Sequence, residues 1–264
     1  MFSPLKILSL EISFYVIMML CGLFTAGVNA CVTVERQKKD HTDLIIIILF
    51  IFVGVLIGSH LLYALVNYKN IIYIFSNIEK ITSLEILKNA FMVTFGGSVF
   101  YGGLFGGIIA GFIVIKINKN YSIFVDIIAV NAPLFHFFGR IGCFLGGCCF
   151  GIPCEHGFKY TINPIAEANG VTRFPVQLLE ALFNLCLFFF LNHLLKKEKY
   201  KNKLIYVYLS LYAAGRFLIE YLRGDTYRGF WFVFSTSQII SIIIILFILI
   251  KFLAQKFKVQ KVIS

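Results

Sequence analysis

Apolar stretches about 20 residues long recur along this chain, and no other feature restricts its folding as much, because a helix of that length crosses the roughly 30 Å hydrocarbon core of a bilayer. Seven are read, at about 7–28, 44–66, 91–115, 121–138, 177–195, 204–222 and 230–250. In lipid the backbone N–H and C=O groups must be satisfied within the segment, so each stretch is expected as a helix. A composition of 59% hydrophobic and 14% charged residues, with mean hydropathy +0.86, is not that of a soluble domain. The expected fold is all-α and polytopic, with about seven transmembrane helices in a single domain over residues 1–264. The first stretch has no A-x-A cleavage pattern and more spans follow it, so it reads as a retained helix and not as a removed signal.

Lys and Arg collect in the cytoplasmic loops of membrane proteins. With seven spans and a cytoplasmic C-terminus, the inner side takes Arg36, Lys38, Lys39, Lys116, Lys119, the run from Lys196 to Lys203, and the lysines from Lys251 onward. The outer side takes a thinner scatter that includes Lys80, Arg140 and Arg228. The N-terminus is therefore expected outside. The net charge of +11 is then a property of the membrane surface, and no nucleic-acid partner is expected.

In this orientation the run Gly139-Arg140-Ile141-Gly142-Cys143-Phe144-Leu145-Gly146-Gly147-Cys148-Cys149-Phe150-Gly151 lies at the outer face. Glycines allow backbone to approach a ligand closely, and an arginine offers a planar fork of donors suited to phosphate. The pairing suits a phospholipid head group. Arg216, Glu220 and Arg223 follow at i, i+4 and i+7, and helical geometry stacks them on one face. Intramembrane charges cost about 2.5–3.5 kcal/mol each on insertion scales, so such a stripe points to a site. The structural alternative is an Arg216–Glu220 pair with Arg223 snorkelling to the interface. Three arginines with one glutamate leave positive charge for an anion.

Near residue 100, Gly103, Gly107 and Gly111 fall four apart, a spacing that permits close helix crossing. The doubled Gly96-Gly97 and Gly102-Gly103 suggest in addition a broken or re-entrant backbone, tolerated in lipid where it is buried in protein or faces water. Of the seven cysteines, Cys143, Cys148, Cys149 and Cys154 cluster, with His156 close behind. The pattern C-x4-C-C-x4-C-x-H lacks the C-x2-C knuckle of a zinc site, so no metal is assigned. Disulfides, free apolar thiols and a covalent lipid waystation on Cys143 or Cys148 are the other readings.

Six motifs in order give the chain a resemblance to the phosphatidylglycerol:prolipoprotein diacylglyceryl transferases of bacterial inner membranes. Tyr15 with Gly22 and Ala26 resembles the family's first-span tyrosine motif, and Gly96 to Leu104 resembles G-G-x-x-x-H-G-G-L. Gly139 to Gly151 is similar to G-R-x-G-N-F-x-N-x-E-x-[WY]-G, and Phe174 to Leu182 to H-P-x-Q-L-Y-E-x-L. Gly215 to Arg223 resembles G-R-F-x-x-E-x-x-R, and Ser235, Gln238 and Ser241 resemble S-x-x-Q-x-x-S. The resemblance implies transfer of the diacylglyceryl group of phosphatidylglycerol, or of another anionic phospholipid, to the lipobox cysteine at a prolipoprotein signal peptide. It implies no metal or dissociable cofactor. Arg140 and Arg216 would clamp the phosphate, Glu220 would fix Arg216, Arg223 would sit towards the outer mouth, Tyr15 would line the head-group cavity, and Gly151 would let backbone approach the lipid.

The departures from the family pattern fall on its neutral and acid-base positions. Tyr101 and Phe174 stand where it has histidine, Cys143 and Gly146 where it has asparagine, and Cys148 where it has glutamate. The obvious proton acceptors for an incoming thiol are thereby lost, which makes Tyr101, Cys143 and Cys148 the replacement candidates. A relative that binds the lipid but serves another acceptor, or none, is the alternative. A transporter is disfavoured, since no internal repeat is visible and Asp126 is the one acid deep in an inner half-span.

Overall fold

The computed structural model describes residues 5–7, 10–77, 79, 83–97, 99–118, 121–163, 165–197, 200, 202–225 and 229–263. Ser98 of the glycine-rich motif and five cations of the charge reading, Lys80, Lys119, Lys199, Lys201 and Arg228, lie outside the described residues. The chain divides into two compact units, one formed by 1–33 with 126–264 and the other by 34–125.

Strands β1 (Leu5–Ile7) and β2 (Leu10–Ile12) pair antiparallel ahead of α1 (Phe14–Arg36). The first helix thus begins at 14 and not at 7. Ser13 sets the start, its Oγ accepting from Val16 N at 3.4 Å as an N-cap. The helices of the second unit follow: α2 (His41–Val66), α3 (Tyr68–Ser76), α4 (Leu84–Phe95) and α5 (Phe100–Ile117). The first unit resumes within α6 (Ser122–Gly146), then runs through β3 (Pro153–Lys159), β4 (Thr172–Arg173), α7 (Val176–Lys196) and α8 (Leu204–Ile219). The short pair β5 (Phe230–Trp231) and β6 (Phe234–Ser235) leads into α9 (Thr236–Ile263). Five helical segments among the described residues are long and apolar enough to cross a membrane: α1, α2, α6, α7 and Thr236–Ala254 of α9. Gly102–Ile117 is apolar but shorter.

The stretch expected as one span over 91–115 is broken. Helix α4 stops at Phe95 and α5 starts at Phe100, which agrees with the interrupted backbone read from the doubled glycines. Carbonyls freed at the break find a partner in His60, whose Nδ1 lies 2.7 Å from Phe95 O and 2.8 Å from Gly97 O. Beyond it, α2 and α5 cross backbone to backbone. A Cβ on Gly58 would strike Gly102 O, and one on Gly106 would strike Gly54 O. The tightest contact therefore runs through Gly102 and Gly106 against Gly54 and Gly58, with Gly103 and Gly107 one residue round facing Val55.

In the first unit, Ala129 and Val130 of α6 pack with Leu187, Leu191 and Leu195 of α7 and Leu204 and Tyr208 of α8. Asp126 is fully buried and caps α8 from a neighbouring helix, its Oδ1 accepting from Leu204 N at 2.9 Å and Ile205 N at 3.4 Å. That contact gives the intramembrane acid a structural partner. Helix α6 runs eight residues past the expected end at 138, so Arg140 and Cys143 ride on a helix, not in a loop. Helix α8, expected to 222, gives way at Glu220 to a 3₁₀ turn, Glu220–Leu222.

Candidate active site

A stripe of Gln177, Glu180 and Asn184 at i, i+3 and i+7 forms one buried polar face of α7. Two arginines converge on its central carboxylate. Arg140 Nε of α6 lies 2.5 Å from Glu180 Oε2, and Arg216 Nη1 of α8 lies 2.6 Å from Glu180 Oε1. Arg216 Nη2 meets Glu220 Oε2 at 2.7 Å and donates to Ser237 Oγ of α9 at 3.2 Å. Four helices of one unit are tied here by charge-assisted contacts. A small cavity beside them is lined by Phe183, Asn184, Tyr212 and Ile219 together with Glu180 and Arg216.

The expected Arg216–Glu220 pair is present, but the excess positive charge is not. Glu180 and Asp225 supply the missing acids. Arg223, expected at the outer mouth and on the face of Arg216, is instead buried with its Nε 2.8 Å from Asp225 Oδ1 and its Nη2 2.5 Å from Asp225 Oδ2. The helical path ends before Arg223, which closes the 3₁₀ turn in an extended conformation, φ −83° and ψ 137°, and so leaves the α-helical stripe. Burial works against the Arg223 charge, and the Asp225 hydrogen bond and charge outweigh it, so its pKa stands above the ordinary arginine value. Arg140 keeps spare capacity: it meets Glu180 through Nε, and its two Nη groups carry no hydrogen bond among the described residues.

The segment after α6 is fixed at nearly every residue. Gly147 and Cys149 take φ of 72° and 56°, a left-handed conformation that strains the non-glycine residue. Tyr160 Oη donates to Phe144 O at 2.9 Å, Asn163 Nδ2 to Gly147 O at 2.6 Å, and Gln177 Nε2 to Cys148 O at 2.8 Å. Burial pushes the Tyr160 pKa up to about 12, so it remains a donor. Gly151 pairs with Arg223 in a β-bridge, and a Cβ there would run into Phe174 O. The glycine is required by protein backbone as well as by any ligand. The result is a rigid turn that gathers the Sγ atoms of Cys143, Cys148 and Cys149 within 4.8 Å of one another. Cys154 is not part of the group, and its thiol donates to His156 O at 3.0 Å. Hydrogen bonds from the Cys143 and Cys148 thiols, and then the charges of Arg223 and Arg140, lower the pKa of Cys149.

Of the residues singled out from sequence, Arg140, Cys143, Cys148, Gly151, Arg216, Glu220 and Arg223 fall in the first unit around α6, α7 and α8. Tyr15 joins them from α1, lying against Gly142, 40% exposed. Tyr101 occupies the first turn of α5 in the other unit, with its side chain outside the described residues. Ser235 and Gln238 turn out to cap α9 reciprocally, Ser235 N donating to Gln238 Oε1 at 3.0 Å and Gln238 N to Ser235 Oγ at 3.3 Å. Gln177 and Glu180 fall on the Q and E of the H-P-x-Q-L-Y-E-x-L match without a role assigned to them, and Asp225 belongs to none of the motifs. The signal for the first two was there, a polar i, i+3, i+7 stripe in a span that is otherwise apolar.

The family model described as prolipoprotein diacylglyceryl transferase matches residues 4–254. Among similar proteins, the phosphatidylglycerol–prolipoprotein diacylglyceryl transferase of Clostridium tetani is 33% identical over 250 residues, covering 90% of this chain and 93% of the relative. Its namesake from Campylobacter jejuni subsp. jejuni is 31% identical over 261 residues, covering 96% and 93%. That of Clostridioides difficile is 32% identical over 219 residues, covering 82% and 81%. A match along nearly the whole length, with both arginines of the motifs meeting on one buried carboxylate, settles the kinship: the chain belongs to the prolipoprotein diacylglyceryl transferase family.

Proposed function

We propose that this protein transfers the diacylglyceryl group of phosphatidylglycerol to the lipobox cysteine of prolipoproteins at the outer face of the bacterial cytoplasmic membrane. The names of its relatives support the reaction class, and the observation that carries the site is the Arg140 Nη fork beside a carboxylate-braced Arg216. In the reaction the acceptor sulfur bonds to the glycerol carbon of the lipid, the C–O bond to phosphate breaks, and glycerol 1-phosphate departs. Negative charge gathers on the leaving phosphate. Arg140 and Arg216 stabilise it there, in a largely buried setting where positioned cations act more strongly than in water. Glu180 and Glu220 hold the two guanidiniums in orientation. Tyr15 lines the head-group space beside Gly142, and the buried Arg223, paired with Asp225, holds the Gly151 backbone through their β-bridge. Tyr101 is carried by its motif alone, standing where the family has histidine. Seven spans with the N-terminus outside and the C-terminus cytoplasmic suit this reading, as do the five long apolar helices.

A covalent lipid waystation on Cys143 or Cys148 does not suit the chemistry. Attack by either thiolate would leave an alkyl thioether, whose carbon–sulfur bond offers no competent leaving group for a second transfer. The cysteines belong instead to activation of the acceptor. Complementation of a conditional strain lacking its own transferase tests the function: wild type should restore growth and Arg140→Ala should not. Failure of well-expressed wild type to rescue would overturn the lipoprotein reaction and favour another acceptor.

A further inference from the structure

The three gathered thiols make a second kind of site. Zn–S bonds of about 2.3 Å place the sulfurs of a tetrahedral centre about 3.8 Å apart. Those of Cys143, Cys148 and Cys149 already lie within 4.8 Å of one another, so closing on an ion takes about 1 Å or less of side-chain movement. The framework is built beforehand: Cys143 on the last turn of α6, Cys148 N donating to Cys143 O at 3.1 Å, Cys148 O held by Gln177, and Cys149 kept in a left-handed conformation. Among the described residues no fourth Cys, His or carboxylate joins the group. Three protein ligands and one open position is the pattern of a catalytic, not a structural, metal centre. All-sulfur donors select a soft, thiophilic ion.

We infer that Cys143, Cys148 and Cys149 bind a thiophilic d¹⁰ metal ion, Zn²⁺ in the first instance, whose open position takes the acceptor cysteine and activates its sulfur. The inference rests on the transferase reading above and supplies what that reading lacks, a means of deprotonating the acceptor without the family's histidine and glutamate. A thiol that coordinates a metal is deprotonated outright, and its proton leaves to solvent. The metal-held sulfur then attacks the lipid glycerol carbon. The C–S bond forms, the C–O bond breaks, and its electron pair goes to the phosphate held by Arg140 and Arg216. The product thioether is neutral and a weak ligand, so it leaves the ion. Three protein thiolates and an acceptor thiolate around a dication carry two negative charges. Arg140, one turn before Cys143 and with Nη groups to spare beyond its Glu180 contact, stands where it offsets part of that charge.

Cobalt(II) is the probe. The purified full-length protein, reduced and stripped with a chelator, is titrated with Co²⁺ and then with a lipobox cysteine peptide or its serine counterpart. One ion per chain is expected, with a thiolate-to-cobalt charge-transfer band that weakens in Cys149→Ser, persists in Cys154→Ser, and strengthens with the cysteine peptide alone. The proposal is overturned by a band absent from wild type, by one indifferent to Cys149→Ser, or by a disulfide within the trio of metal-free protein isolated without air. Should the serine variants not fold, X-ray absorption of zinc-loaded wild type decides, since three sulfurs at about 2.3 Å are required. Activity separates the two readings. Metal removal should slow transfer at least about 100-fold, the low end of what losing a base costs. Unchanged transfer by stripped protein overturns the metal's role and leaves the transferase reading standing. The full cobalt and peptide signature with no transfer from phosphatidylglycerol upholds the site and overturns that reading instead.

Discussion

Glu180 holds more of the site together than any other residue, because each of its carboxylate oxygens meets a different arginine from a different helix. Truncating it leaves Arg140 and Arg216 near each other without their shared counter-charge. Removing one partner of a buried ion pair costs about 3–5 kcal/mol, so Glu180→Ala is expected to lower the thermal midpoint in detergent by many degrees. Glu180→Gln should recover part of that loss through its remaining hydrogen-bonding oxygen, and an unshifted midpoint in both variants would remove Glu180 from this position. Arg140, Arg216 and Glu220 were legible in the sequence, since charge in an apolar run has few neutral explanations. Apart from the Arg216–Glu220 pair, their partners were not. Glu180 lies 40 residues from Arg140 and Asp225 follows the last turn of α8, so the charge balance emerged only once the helices were packed.

At the scale of elements, the period of the apolar runs located α2 and α7 closely, because neither contains a competing signal. Local hydrogen bonding moved the others. Ser13 delayed α1, the 3₁₀ turn shortened α8, and the Ser235–Gln238 capping box fixed the start of α9. Glycine spacing predicted a close crossing through Gly103 and Gly107, whereas the tightest contact uses Gly102 and Gly106 because Gly54 and Gly58 of α2 answer them. A single helix cannot reveal which of two adjacent glycine rows has a partner. Gly58→Leu is expected to destabilise the α2–α5 pair by more than the 1–3 kcal/mol or so of ordinary overpacking, because the obstacle is backbone. Gly27→Leu, at a position with open space within 4 Å, should be nearly neutral in the same unfolding assay. Equal loss from both would contradict the crossing.

For the whole molecule, charge asymmetry supports a proposed topology that the helices alone do not supply. The reading places the segment around Lys38 inside and the β3 strand around Glu155 outside. In a background lacking native cysteines, a cysteine introduced at Glu155 should react with an impermeant maleimide in intact cells and one at Lys38 should not, the reverse labelling being incompatible with an outer-leaflet site. That site is also where the central claim lies: an arginine fork, braced by Glu180, stabilises the phosphate that departs when the lipid alkylates a thiol. The most direct measurement follows both products, by mass spectrometry, when purified protein meets phosphatidylglycerol and a lipobox cysteine peptide. Wild type is predicted to yield the diacylglyceryl thioether and glycerol 1-phosphate in equal amounts, with Arg140→Ala slower by about 10²–10³-fold, as for loss of one charge-stabilising donor. Equal rates for the two proteins, or loss of the lipid with no thioether on the peptide, would contradict it.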